Sequence, residues 1–195
     1  MKKIISIIAA LCVITIADAQ NYDDAIIKSL RGGVTLSQKN ISGIHSQMGD
    51  GFNLEFNYQK QLLDTYPIYL ETGFGLNTKK TGQLLLLSNN QDESSYKPQY
   101  TFIGIPLLVN YKFFTNDDVI IYPSIGIALQ AGLVRIVDGI EPLIDVPLRL
   151  GVTIEFQRKY IVSYAHESGM FYIDNDYGNM EGFFISNYIT AGFRF

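Results

Sequence analysis

The sequence is poor in the residues on which most protein chemistry depends. It has one cysteine, two histidines and no tryptophan, and only 17% of its 195 residues are charged. The cysteine, Cys12, lies in an apolar stretch near the start, so no disulfide framework or cysteine-based metal site is available. His45 and His166 sit in separate regions without ligand spacing, so neither a metal site nor a cofactor is expected. The formal net charge is −4, and no basic stretch offers a footprint for nucleic acid. No phosphate-binding glycine loop opens a helix; TGFGLN lies inside a strand pattern. Beyond Gln20 there is no run of about 20 apolar residues, which excludes a transmembrane helix there.

The chain is nevertheless apolar, with 47% hydrophobic residues, 13 tyrosines and 12 phenylalanines. Apolarity dispersed in alternation, rather than concentrated in runs, is what a transmembrane barrel needs, because its outer face meets lipid. Met1 to Ala19 reads as a secretory signal. Lys2 and Lys3 precede the short apolar stretch Ile4 to Ile16, and Ala17-Asp18-Ala19 forms a small-residue cleavage site. Cys12 then leaves with the signal. Removing Lys2, Lys3 and Asp18 makes the net charge one unit more negative.

The period-2 repeat of a strand recurs through the rest. After a polar lead-in over residues 20–29, LRGGVTLS from Leu30 begins the series, and FNLEFNY from Phe52 to Tyr58 is its cleanest member. Further alternating stretches run from Pro67 to Leu76, Tyr100 to Phe113, Val119 to Leu133, Val146 to Phe156 and Tyr160 to Ser168. The last is ISNYITAGFRF, in which Ile189, Ala191, Phe193 and Phe195 alternate with Tyr188, Thr190, Gly192 and Arg194. Pro106 removes one ladder donor from the fourth stretch, which predicts a bulge or local distortion. The connections are longer after the first, third, fifth and seventh stretches and short after the others. Residues 30–195 therefore read as an eight-stranded antiparallel outer-membrane β-barrel with short periplasmic turns, longer extracellular loops and both termini periplasmic. The rival is a soluble barrel or sandwich.

Several stretches strengthen this reading by resemblance. LRGGVTLSQ, YPIYLETGFGLNTKKTG, IGIPLLVNYKF, IIYPSIGIALQAG, LRLGVTIEF and ITAGFRF resemble, in order and spacing, the PorT-like "porin family" outer-membrane barrel domain of Bacteroidota. That resemblance implies fold and location and little about activity. A strand ending on Phe193 and Phe195 looks like the assembly signal read by the barrel insertion machinery. The implied partners are outer-membrane lipid, lipopolysaccharide and that machinery, with a possible extracellular ligand for the loops.

The facing assignment sends Arg31, Lys112, Arg149 and Arg194 inward with Glu55, Glu71, Glu155 and Glu167. Eight strands enclose a lumen only wide enough for side chains, so equal numbers of opposite charges predict a closed, ion-paired plug. The leading functional expectation is a non-enzymatic structural or surface-interaction barrel. One alternative is a hydrolase. His166 and Ser168, two apart, share the outward face, and Glu181 follows in the next hairpin, which supplies the parts of a triad. This outward H-x-S is similar to the lipid A 3-O-deacylase barrels, although Gly169 stands where that motif continues with Asn. A histidine of the aromatic girdle beside an ordinary strand-end serine explains the pair without chemistry. A second alternative is a narrow channel. The Asp/Asn-rich DNDYGN, Asp174 to Asn179, lacks the spacing of a calcium loop and reads as a solvated loop. Leu84 to Leu87, in the longest connection, read as an extension of the neighbouring hairpin or an exposed apolar patch.

Overall fold

A computed structural model describes residues 26–41, 44–45, 48–63, 65–80, 99–114, 118–136, 139–173 and 182–195. Eight long strands carry the fold: β1 (Ile26–Ile41), β2 (Gly49–Leu63), β3 (Tyr66–Lys80), β4 (Gln99–Tyr111), β5 (Val119–Ile136), β6 (Gly139–Phe156), β7 (Tyr160–Ile173) and β8 (Gly182–Arg194). Two-residue strands, Ile44–His45 and Phe113–Phe114, extend the edges of β1 and β5. Each long strand pairs antiparallel with the next, and β8 pairs with β1 from Ser29↔Arg194 to Ile41↔Gly182. The sheet is thus a closed eight-stranded antiparallel barrel, and no helix occurs among the described residues. Closure excludes the sandwich.

The alternation partitions residues in the reverse of a soluble protein. Among the described residues, 25 buried side chains are polar or charged and 12 are apolar. The exposed wall carries Val34, Phe52, Phe74, Ile103, Leu107, Ile125, Leu129, Val152 and Ile189. A soluble barrel buries the apolar face and solvates the other; here the apolar face is the outside, as in a barrel wetted by lipid.

The strands run further than the apolar pattern alone predicts. β1 begins at Ile26, so Ile26 to Ser29, expected in the polar lead-in, pair with Lys60 to Asn57. β3 continues to Lys80, β7 to Ile173, and β8 starts at Gly182. The connection expected over Arg135 to Ile144 is mostly strand: β5 and β6 pair out to Ile136↔Gly139. Backbone pairing in a hairpin needs no apolar side chain, so strands outlast the apolar band. Residues 1–25 and the stretches Leu84 to Leu87, Asp174 to Asn179 and Glu181 lie outside the described residues.

Proline and glycine shape the wall locally. At Pro106 the β3–β4 ladder is interrupted between Thr72↔Leu107 and Gly75↔Gly104, without a register shift. Pro147 does shift the register: a bulge separates Asp145 from Pro147 against β7. At Gly73 an added Cβ would lie 2.0 Å from the Phe56 carbonyl oxygen, so only glycine allows this approach of β3 to β2. The β6–β7 connection turns through Gln157 and Arg158, both in the left-handed region at φ 51° and 52°, and Lys159 N–H donates to the Phe156 carbonyl at 3.0 Å. Two positive-φ residues make a type I′-like turn, whose twist matches the flanking strands.

A left-handed conformation costs a non-glycine residue about 1–2 kcal/mol. Arg158→Gly is therefore expected to stabilise the barrel by about 1 kcal/mol, read as a higher urea midpoint for loss of the compact band on unheated gels. An unchanged or lower midpoint would show that the turn is not strained.

Candidate functional site

The inward side chains form a charge-paired column along the barrel axis. Near its middle, Arg149 on β6 makes two parallel bonds to Glu55 on β2, Nη1 to Oε1 at 2.6 Å and Nη2 to Oε2 at 3.0 Å. Asn53 and Asn57, two residues to either side of Glu55, donate to the same carboxylate at 3.1 and 3.4 Å. Towards the short-turn rim, Arg31 on β1 grips Glu71 on β3, with contacts of 3.1 and 3.2 Å. Gln59 and Asn110 also donate to Glu71. At that rim Arg194 donates to Glu155 at 2.8 Å, and Lys112 lies 4.0 Å from the same carboxylate and 4.3 Å from the Tyr69 ring centre. Period-2 alternation aims these residues inward, and the shared register stacks them at neighbouring heights.

Towards the long-loop rim the network joins Glu167 to residues the sequence pattern did not assign, Lys79 and Asp145 among them. Glu167 on β7 accepts from Gln130 at 3.0 Å and from the Tyr188 hydroxyl, and lies 3.5 Å from Lys79 and 3.8 Å from Arg149. Lys79 also lies 3.6 Å from Asp145 and 4.8 Å from the Phe102 ring centre. Asn77 donates to Tyr188 at 2.6 Å, and Thr35 donates to Asn77 at 3.1 Å. Above them Tyr100 and Phe184 meet edge to face at 4.7 Å, beside Lys39. Lys79, Asp145 and Lys39 are all buried. They fell in stretches read as loop. Carrying the inward parity of Glu71, Gly73 and Gly75 two steps further gives Asn77 and Lys79, and carrying that of Arg149 backwards gives Asp145.

All eight inward charges expected from the sequence, Arg31, Glu55, Glu71, Lys112, Arg149, Glu155, Glu167 and Arg194, lie in this buried column. The cavity beside them, bordered by Asn53, Glu55, Asn77, Gln130, Arg149 and Glu167, measures about 20 Å³. That is room for about one water molecule.

On the outward face of β7, His166 is held by a residue of β8. His166 Nδ1 lies 3.0 Å from Asn187 Oδ1 on β8, which also accepts from the Tyr164 hydroxyl at 2.8 Å. No hydrogen bond joins His166 to Ser168, and Glu181 lies outside the described residues. Asn187, missed in the sequence, takes the place expected of the acid; cross-strand pairing of Asn187 with His166 decides this. On the outer wall Phe195 packs against Phe56 and Phe193, with ring centres 6.1 and 5.8 Å apart. The Phe195 N–H donates to the Lys28 carbonyl at 3.0 Å.

Removing one member of a buried ion pair leaves the other uncompensated, at a cost of about 3–5 kcal/mol. Arg149→Met is expected to destabilise the folded barrel by about that amount, and Glu55→Gln in the same chain to recover part of it. A double-mutant cycle on urea unfolding measures this; additive losses would mean that the pair contributes nothing.

No family model matches the chain, and no curated protein matches it. Solved structures do. Neisserial surface protein A superposes with a TM-score of 0.53 and 13% identity, over 86% of this chain and 95% of that one. The attachment invasion locus protein of Yersinia pestis gives 0.48 and 14%, over 87% and 99%. A major outer membrane protein of Thermus thermophilus gives 0.42 and 14%, over 88% and 100%. At such identities the likeness is one of fold: this chain is built like Neisserial surface protein A.

Proposed function

We propose that the chain is a small integral outer-membrane barrel whose filled lumen is structural and which acts through its long-loop rim. The observation that carries this is the inverted partition: an apolar outer wall around a charge-paired interior with an internal cavity of about 20 Å³. Charges inside a membrane-spanning structure persist only when paired, and here Arg–carboxylate forks and amides pair them. In this reading Met1 to Ala19 directs export. The short-turn rim is periplasmic and the long-loop rim extracellular. Phe193 and Phe195 present the closing strand to the insertion machinery, and outer-leaflet lipid and lipopolysaccharide surround the wall. The ordered stretches from LRGGVTLSQ to ITAGFRF support the narrower PorT-like assignment.

The two alternatives have less support. A channel would have to open the Arg149–Glu55 and Arg31–Glu71 forks. A hydrolase would have to bring the Ser168 hydroxyl into hydrogen-bond reach of His166, and no hydrogen bond joins the two.

The refolded chain is expected to be silent in planar bilayers, with folding checked by gel shift; stable single-channel openings would replace this reading with transport. Orientation is checked separately with Arg158→Cys, whose thiol should resist an impermeant maleimide in intact cells. Labelling from outside would invert the topology.

A further inference from the structure

We propose that Tyr164, His166, Ser168 and Asn187 form a lipid-binding notch on the outer wall, selective for a lipid with an amide or hydroxyl group beside its acyl chains. The inference rests on the membrane reading of the wall. These four side chains are contiguous across β7 and β8, where Asn187 pairs with His166 and Ile185 with Ser168. Asn187 Oδ1 accepts from Tyr164 Oη–H and lies 3.0 Å from His166 Nδ1. An amide oxygen carries no proton, so Nδ1 donates, and in the neutral imidazole Nε2 is an acceptor. The Asn187 amide N–H groups, His166 Nε2 and the Ser168 hydroxyl find no partner among the described residues. Donors and an acceptor thus occupy neighbouring outward positions of the wall.

The surroundings identify the class of ligand. Exposed apolar side chains lie on both sides of the notch along the strands, Val162 and Ile189 towards the short-turn rim and Phe183 towards the long-loop rim. Leu148 and Leu150 border it on β6. Hydrogen-bonding groups set within an apolar wall are costly in hydrocarbon unless something satisfies them. The described outward positions of β7 and β8 hold no Lys, Arg, Asp or Glu, so a bare phosphate finds no counter-charge there. A neutral donor–acceptor group flanked by hydrocarbon meets both conditions. That is the linkage region of an amide-linked or hydroxylated acyl lipid, whose chains would lie on Val162, Ile189 and Phe183.

The test uses the refolded chain in phosphatidylcholine nanodiscs doped with either lipid A, which carries amide-linked 3-hydroxyacyl chains beside ester-linked ones, or phosphatidylglycerol, whose chains are all ester-linked. Native mass spectrometry after detergent release reads the lipid retained. The wild type should hold lipid A in preference to phosphatidylglycerol. Asn187→Leu should cut that preference about fivefold for each hydrogen bond lost. Unchanged retention in Asn187→Leu, or equal loss of both lipids, would overturn the site. So would dimerisation through this face, read by cross-linking of Ser168→Cys. If Asn187→Leu does not fold, Tyr164→Phe, which keeps the ring on the wall, is read in the same way. A wild-type chain that fails to float with vesicles overturns the membrane reading itself, whereas flotation with unselective retention overturns only the notch.

Discussion

The β1–β8 ladder is the interaction on which the rest depends. A sheet of eight strands left open has two edges of unpaired N–H and C=O groups. Pairing Ser29 with Arg194 through to Ile41 with Gly182 removes both edges at once. It also creates the lumen. Until the ladder forms, the polar faces of the strands are one side of a ribbon open to water; afterwards Arg31, Glu55 and Arg149 are shut inside. The Phe195 N–H bond to Lys28 adds one further contact to the seam.

Closure forces the charges to find partners, and register decides which. Arg149 and Glu55 are 94 residues apart in the chain and face each other across the barrel. Glu167 gathers Lys79, Gln130, Tyr188 and Arg149 from four other strands. Each carboxylate is therefore a tie between strands that do not neighbour one another. Such ties are expensive to desolvate and add little net stability over an apolar core, but a one-residue slip would point every member at the outer wall. The network thus specifies the register more than it adds to stability, and it leaves the lumen filled. What remains to meet the surroundings is the wall and the long-loop rim.

The sequence was legible wherever one simple repeat held. Phe52 to Tyr58 sort cleanly into exposed and buried faces because nothing interrupts the alternation. The turn at Gln157 and Arg158 was placed by the strands on either side, although neither residue favours positive φ. Legibility failed where apolarity stopped before the strand did. Lys79 and Asp145 were taken for loop because charged residues in a polar stretch look alike whether a hairpin or water holds them. Their parity with Glu71 and Arg149 was the available signal. Asn187 was a harder case: nothing in a single strand says which residue of the next will lie beside His166.

Alternation and connection length determined the strand number, the antiparallel order and, wherever a strand was recognised, which side chains enter the lumen, because the side-chain period of a strand is a local property of the backbone. The tertiary structure alone decided which of those side chains meet. The Arg149–Glu55 fork, the Lys79–Asp145–Glu167 cluster and the Asn187–His166 contact depend on strand register, bulge position and closure. These are set by contacts between residues tens of positions apart, which no window along the chain contains.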